Sequence, residues 1–194
     1  MTVPSTARSA VVTLLAVLAL AACAAPPSVA PATAGASPHS AASSEGGAPA
    51  PSATYDAADA PEHLRFAATT IDGQPFDGAS LYGHPTILWF WAPWCPVCQG
   101  EAPGIVAALG ELPEGVHAIG VPGRSDTAAM RAFLDDYGFG DMPQIVDADG
   151  SLWSAFGVTS QPAVAIIAAD GTVTTLPGAG GKAGFLEAAA SIAP

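Results

Sequence analysis

Cys95 and Cys98 are the residues whose type and spacing bear most directly on chemistry. Two thiols two residues apart can exchange disulfides, one thiolate attacking and the second thiol resolving the mixed disulfide. That chemistry needs the first sulfur beside free backbone N–H groups and the second one turn into a helix. The flanking sequence predicts this arrangement. Residues 86–91, Thr-Ile-Leu-Trp-Phe-Trp, form an apolar run of β-branched and aromatic residues behind Gly83-His84-Pro85, which reads as a buried strand. A helix is predicted over 96–112, with Cys95 at its N-cap and Pro96 at the first helical position, where a missing N–H costs nothing. The N–H groups of Val97 and Cys98 then face the Cys95 sulfur, and the helix dipole favours its thiolate. Trp91 and Trp94 are expected to wall the site with apolar surface.

Other uses of the pair fit less well. Zinc needs two more ligands, and His39, His63, His84 and His117 show no metal spacing. A purely structural disulfide at this short spacing would close a very small loop.

Around the pair, periodicity and turn signals predict α/β architecture: a mixed central sheet flanked by helices, with an N-terminal β-hairpin added. His63–Thr69 alternates like a strand, Asp72-Gly73 is a hairpin turn, and Pro75–Asp77 is the return strand. Pro103 lies inside the first helix and is expected to kink it. A second buried strand is predicted at 116–121 and a helix from the Ser125/Asp126 caps to Gly138. An extended segment at 143–146, a short helix at 151–156, a hairpin of strands 163–169 and 172–176, and a helix at 182–192 complete the order.

The first residues look like an export signal. Ala10–Ala22 is apolar apart from Thr13, too short to span a bilayer, and follows the single charge Arg8. Leu20-Ala21-Ala22-Cys23 resembles the lipobox of bacterial lipoproteins, which implies cleavage after residue 22 and lipidation of Cys23. Residues 23–60 are rich in Ala, Pro, Ser and Gly and read as a disordered tether. A domain is expected over 61–194. Setting aside the segment that holds Arg8 leaves 4 basic against 17 acidic side chains. Such a balance excludes nucleic-acid binding through phosphate neutralisation. Membrane attachment is expected through lipid alone.

Phe90-Trp91-Ala92-Pro93-Trp94-Cys95-Pro96-Val97-Cys98 resembles the signature of the thioredoxin superfamily. With Asp72-Gly73 ahead of it and Glu101 and Pro103 behind, the pattern is similar to the extracytoplasmic TlpA/ResA/DsbE branch, the redoxin or AhpC/TSA-like group, and most of all to actinobacterial DsbE- and DsbF-like proteins. The resemblance covers about residues 62–194. It implies a thioredoxin fold, Cys95 as the exposed nucleophile and Cys98 as its buried partner. It also implies a carboxylate at Glu101 that relays a proton, and a cis peptide bond before Pro162 that bares the backbone of Gln161 to a substrate strand. Trp94, Pro96 and Val97 complete the substrate-binding surface. One departure stands out: cytoplasmic thioredoxins carry a buried aspartate six residues before the first cysteine, and this chain has Trp89 there.

The function implied is an extracytoplasmic thiol–disulfide oxidoreductase, oxidase rather than reductase, with no cofactor beyond the Cys95–Cys98 disulfide. Its expected partners are exported cysteine-containing proteins and a membrane redox partner that recycles the site, and it is expected to be a monomer. The alternatives are a reductase for cytochrome c maturation, a thiol peroxidase and a non-catalytic metal-binding dithiol module. The peroxidase pattern needs proline and threonine where Leu88 and Ala92 stand.

Overall fold

Strand β3, Thr86–Trp91, is buried along its whole length and forms the axis of the domain. The computed structural model describes residues 55–194, so Cys23, His39 and the segment expected to be an export signal lie outside the described residues. Successive β3 side chains point to opposite faces of the sheet. Trp89 and Trp91 stack with Phe133 and Phe139 on one face. Phe90 meets Trp153 and Phe156 on the other. Both faces are therefore covered, which explains why the run lacks the alternation of a half-exposed strand.

β3 pairs in parallel with β4, His117–Pro122, and antiparallel with β6, Ala163–Ile167. β7, Val173–Pro177, closes the outer edge, giving the order β4-β3-β6-β7. The Asp72-Gly73 hairpin forms as expected between β1, Ala67–Thr70, and β2, Pro75–Asp77. It does not merely decorate the main sheet. Together with β5, Ile145–Val146, it makes a second, three-stranded sheet in the order β2-β1-β5. The two sheets meet where the segment around β5 bridges β4, at Gly120 with Gln144 and Gly123 with Asp147.

Helix α1 runs over Pro96–Leu109 and continues unbroken through Pro103, ending three residues before the expected Leu112. α2, Thr127–Tyr137, is capped by the Asp126 carboxylate, which accepts the Ala129 N–H at 2.8 Å. Gly138 ends it in the left-handed conformation. α3, Ser151–Ala155, is short, and α4, Gly181–Ala190, lies against α1.

Two expectations need correction. Residues 63–66, read as the start of a strand, precede β1, and Glu62–Leu64 form a 3₁₀ turn. His63 Nε2 lies 2.9 Å from the Gly171 carbonyl oxygen, and Leu64 is fully buried, so the turn is held by tertiary contacts that override local alternation. The packed chain also begins earlier than Pro61. Ala57–Asp59 form a 3₁₀ turn capped by Asp56, Ala60 is buried, and the Arg65 guanidinium donates to the carbonyls of Ala58 and Ala60. Tyr55 packs edge-on against Tyr82 with ring centroids 5.0 Å apart.

Candidate functional site

Cys95 occupies the N-cap of α1 directly beyond the end of β3, with Pro96 at the first helical position. Its sulfur accepts the Cys98 N–H at 3.3 Å. Of the two N–H groups expected at this sulfur, Cys98 supplies the one present. The Cys95 Sγ also lies 4.0 Å from the Gln161 carbonyl oxygen. Both thiols are free. Cys95 is only 3% exposed, against the expectation of an open nucleophile, because the first turn of α1 and the Gln161 segment cover it. Cys98 is fully buried.

Burial pushes the Cys98 thiol well above its ordinary range. The hydrogen bond with Cys95 and the negative charges of Cys95 and Glu101 act in the same direction, opposed by the backbone at Ala92. Cys98 therefore keeps its proton at neutral pH.

The peptide bond between Gln161 and Pro162 is cis. Pro162 is buried, and its carbonyl accepts the Gly178 N–H at 2.8 Å. This contact ties the turn before β6 to the glycine-rich stretch after β7. Glu101, read as a possible proton relay, is half-buried and reaches that same stretch. Its carboxylate accepts the N–H groups of Ala179 and Gly180 at 3.2–3.4 Å. Glu101 thus bridges α1 to the start of α4 while its charge is felt at Cys98.

The apolar rim is Trp94, 53% exposed, and Val97, 58% exposed, with Pro96 between them. Trp94 Nε1 donates to the Arg124 carbonyl at 3.1 Å, which fixes the indole across the loop after β4. Trp91, expected as a second wall, is instead buried with its ring centroid 4.2 Å from that of Phe133. Trp91 Nε1 donates to Gln144 Oε1, and Gln144 sits where a side chain at Gly120 would be. Trp89 lies in the same aromatic cluster. Its Nε1 is the buried side-chain polar atom, among the described residues, that has no hydrogen-bond partner.

Sequence reading missed the loop at Gly123-Arg124 and the buried Asp147. A side chain at Gly123 would come within 2.6 Å of the Trp153 ring, so glycine is what lets that indole lie beneath the loop. Asp147 accepts the N–H groups of Leu152 and Trp153 at 3.1 and 2.8 Å and so orients Trp153. The only local signal for it was an Asp a few residues ahead of a short helix.

Residues 58–176 match the profile of the AhpC/TSA family. The soluble secreted antigen MPT53 of Mycobacterium tuberculosis is 45% identical over 118 residues, spanning 61% of this chain and 67% of that protein. A solved structure of Mycobacterium tuberculosis DsbF superposes with a TM-score of 0.65 at 40% identity, covering 69% of this chain and 98% of that one. A secreted disulfide oxidoreductase of the same organism, described as homologous to Escherichia coli DsbE, gives a TM-score of 0.61 at 38% identity over 68% and 99% of the two chains. The fold is thus thioredoxin-like, and the chain belongs to the AhpC/TSA family as a thiol–disulfide oxidoreductase.

Proposed function

We propose that this chain exchanges disulfides with exported cysteine-containing proteins through Cys95 and Cys98, acting as an oxidase. The observation that carries the reading is the Cys95 sulfur at the head of α1, accepting the N–H of a fully buried Cys98. In the oxidised enzyme a substrate thiolate attacks the Cys95 sulfur. The Cys95–Cys98 bond breaks, and Cys98 leaves and takes a proton, which its high proton affinity favours. A second substrate thiolate then attacks the first substrate sulfur and releases Cys95. Two substrate thiols become a disulfide, and the enzyme disulfide becomes two thiols.

Glu101 is the proton carrier for Cys98. It is half-buried three residues along α1, and its charge already raises the Cys98 thiol. Trp94, Pro96 and Val97 form the apolar face that meets the substrate. The Gln161 carbonyl before Pro162 offers the backbone edge on which an extended substrate pairs. Leu88 and Ala92 stand where a peroxidase pattern needs proline and threonine.

The Pro96-Val97 dipeptide favours the oxidising direction. Equilibration with a glutathione buffer tests it. An oxidase is expected nearer −120 mV, and a value near −270 mV would make the protein a reductase.

The relatives described as secreted support a place outside the cytoplasm. The Leu20–Cys23 motif supports a lipid anchor at Cys23, and no helix among the described residues is long and apolar enough to cross a membrane. A membrane redox partner returns the site to its oxidised state, and the domain works as a monomer. Changing Cys23→Ser is expected to move the protein from the membrane fraction to the medium. Continued membrane association would exclude the lipid anchor.

A further inference from the structure

The described residues hold four Lys or Arg side chains among a large excess of Asp and Glu. Three of the four are engaged. Arg65 donates to Ala58 and Ala60, Arg131 to Asp72 and Ile71, and Lys182 to Glu111. Arg124 is the exception. Neither salt bridge of the described residues involves it, and its guanidinium donates to no acceptor among them.

Arg124 is nonetheless held in place. Its guanidinium carbon lies 5.0 Å from the centroid of the Trp153 ring. Trp153 is fully buried, and its Nε1 donates to the Val121 carbonyl at 3.0 Å. The Arg124 Nε passes close over Gly150, 3.3 Å from where a side chain there would begin. Its backbone is in the left-handed region at φ 55°, and its carbonyl receives the Trp94 indole N–H. The stack covers one face of the guanidinium and leaves its N–H edges free to meet a carboxylate in two-pronged fashion. An exposed, ordered cation beside the redox rim is therefore available to a partner from outside.

We propose that Arg124 is a specificity-determining residue that binds a carboxylate side chain of the substrate polypeptide close to its reacting cysteine. Trp94 precedes Cys95 directly and touches the Arg124 backbone, so the acidic residue falls within about four positions of the substrate cysteine in an extended chain. The negative field of the domain repels acidic chains at long range, and the ordered guanidinium selects among those that reach the site. This inference rests on the exchange chemistry proposed above.

The test uses the Cys98→Ser protein and short peptides whose single cysteine carries a neutral 2-pyridyl disulfide. Cys95 thiolate attacks the peptide sulfur, the peptide becomes bonded to Cys95, and 2-thiopyridone leaves and is read by absorbance. Peptides differ only in Glu or Gln, placed in turn at each of four positions on either side of the cysteine. At low salt, one Glu position is expected to react about tenfold faster than its Gln counterpart, as a charge-assisted pair of about 1.4 kcal/mol implies. Arg124→Met, which keeps much of the stem over Trp153, is expected to bring that ratio to about one, with Arg124→Lys in between. Equal rates for every Glu and Gln pair with the unaltered Arg124 would overturn the proposal, as would a preference that survives in Arg124→Met. No reaction with any peptide would instead overturn the exchange reading itself.

Discussion

Cys95 and Cys98 differ because α1 places one sulfur at its N-cap, against the Cys98 N–H, and the other inside its packed face. That difference is measurable. The folded chain holds the Cys98 proton above the ordinary thiol value of 9.0, where the unfolded chain loses it. The folded state then binds more protons, so stability must fall as pH rises beyond about 9, by up to about 1.4 kcal/mol per pH unit. Denaturant titrations of the reduced protein between pH 8 and 10.5 are expected to show this loss, and Cys98→Ala to lack that part of it. A second prediction concerns Glu101. Glu101→Gln is expected to slow resolution of a Cys95 mixed disulfide about tenfold or more, with the deficit shrinking as pH rises, in stopped-flow measurements. The cysteine pair was legible in the sequence because its spacing carries its chemistry. What Glu101 touches was not, since Ala179 and Gly180 lie far along the chain and offer only backbone N–H groups. Arg124 was equally hidden, because its setting depends on Gly123 and on a tryptophan from α3.

The elements that position the site were largely legible. β3 and β6 read as continuous apolar runs because both sheet faces are covered, and the turn residues punctuated the hairpins. The division into two sheets was not legible, because it turns on residues 143–147 bridging β4 while β5 pairs with β1. Gln144 is central to that junction: its Nε2 donates to the Met142 carbonyl and its Oε1 receives the Trp91 indole N–H. A methyl group at Gly120 would lie 1.8 Å from Gln144 Oε1. Gly120→Ala is therefore expected to cost about 2–3 kcal/mol by overpacking and by unpairing Trp91 Nε1. A fall in the denaturation midpoint at unchanged m-value checks this. An unchanged midpoint would mean that Gln144 does not hold the two sheets together.

Across the whole molecule, the described chain enters at the end of β3 opposite the cysteines. Tyr55 packs on Tyr82 and Gly83, ahead of Thr86, while Cys95 follows Trp91 at the far end. Six strand residues put these ends about 20 Å apart. If Cys23 carries the proposed lipid, the length of chain between it and the domain sets how far from the membrane the redox rim can act. Deleting most of 24–54 is expected to leave exchange with soluble thiols intact while slowing reoxidation in membranes, followed by the redox state of Cys95 and Cys98 in cells. The measurement closest to the central claim is capture of substrates. Cys98→Ser expressed in cells that export it should hold exported proteins in mixed disulfides that reducing agent releases and that disappear when Cys95 is also changed to serine. Absence of such adducts, or adducts that persist without Cys95, would contradict exchange through this pair.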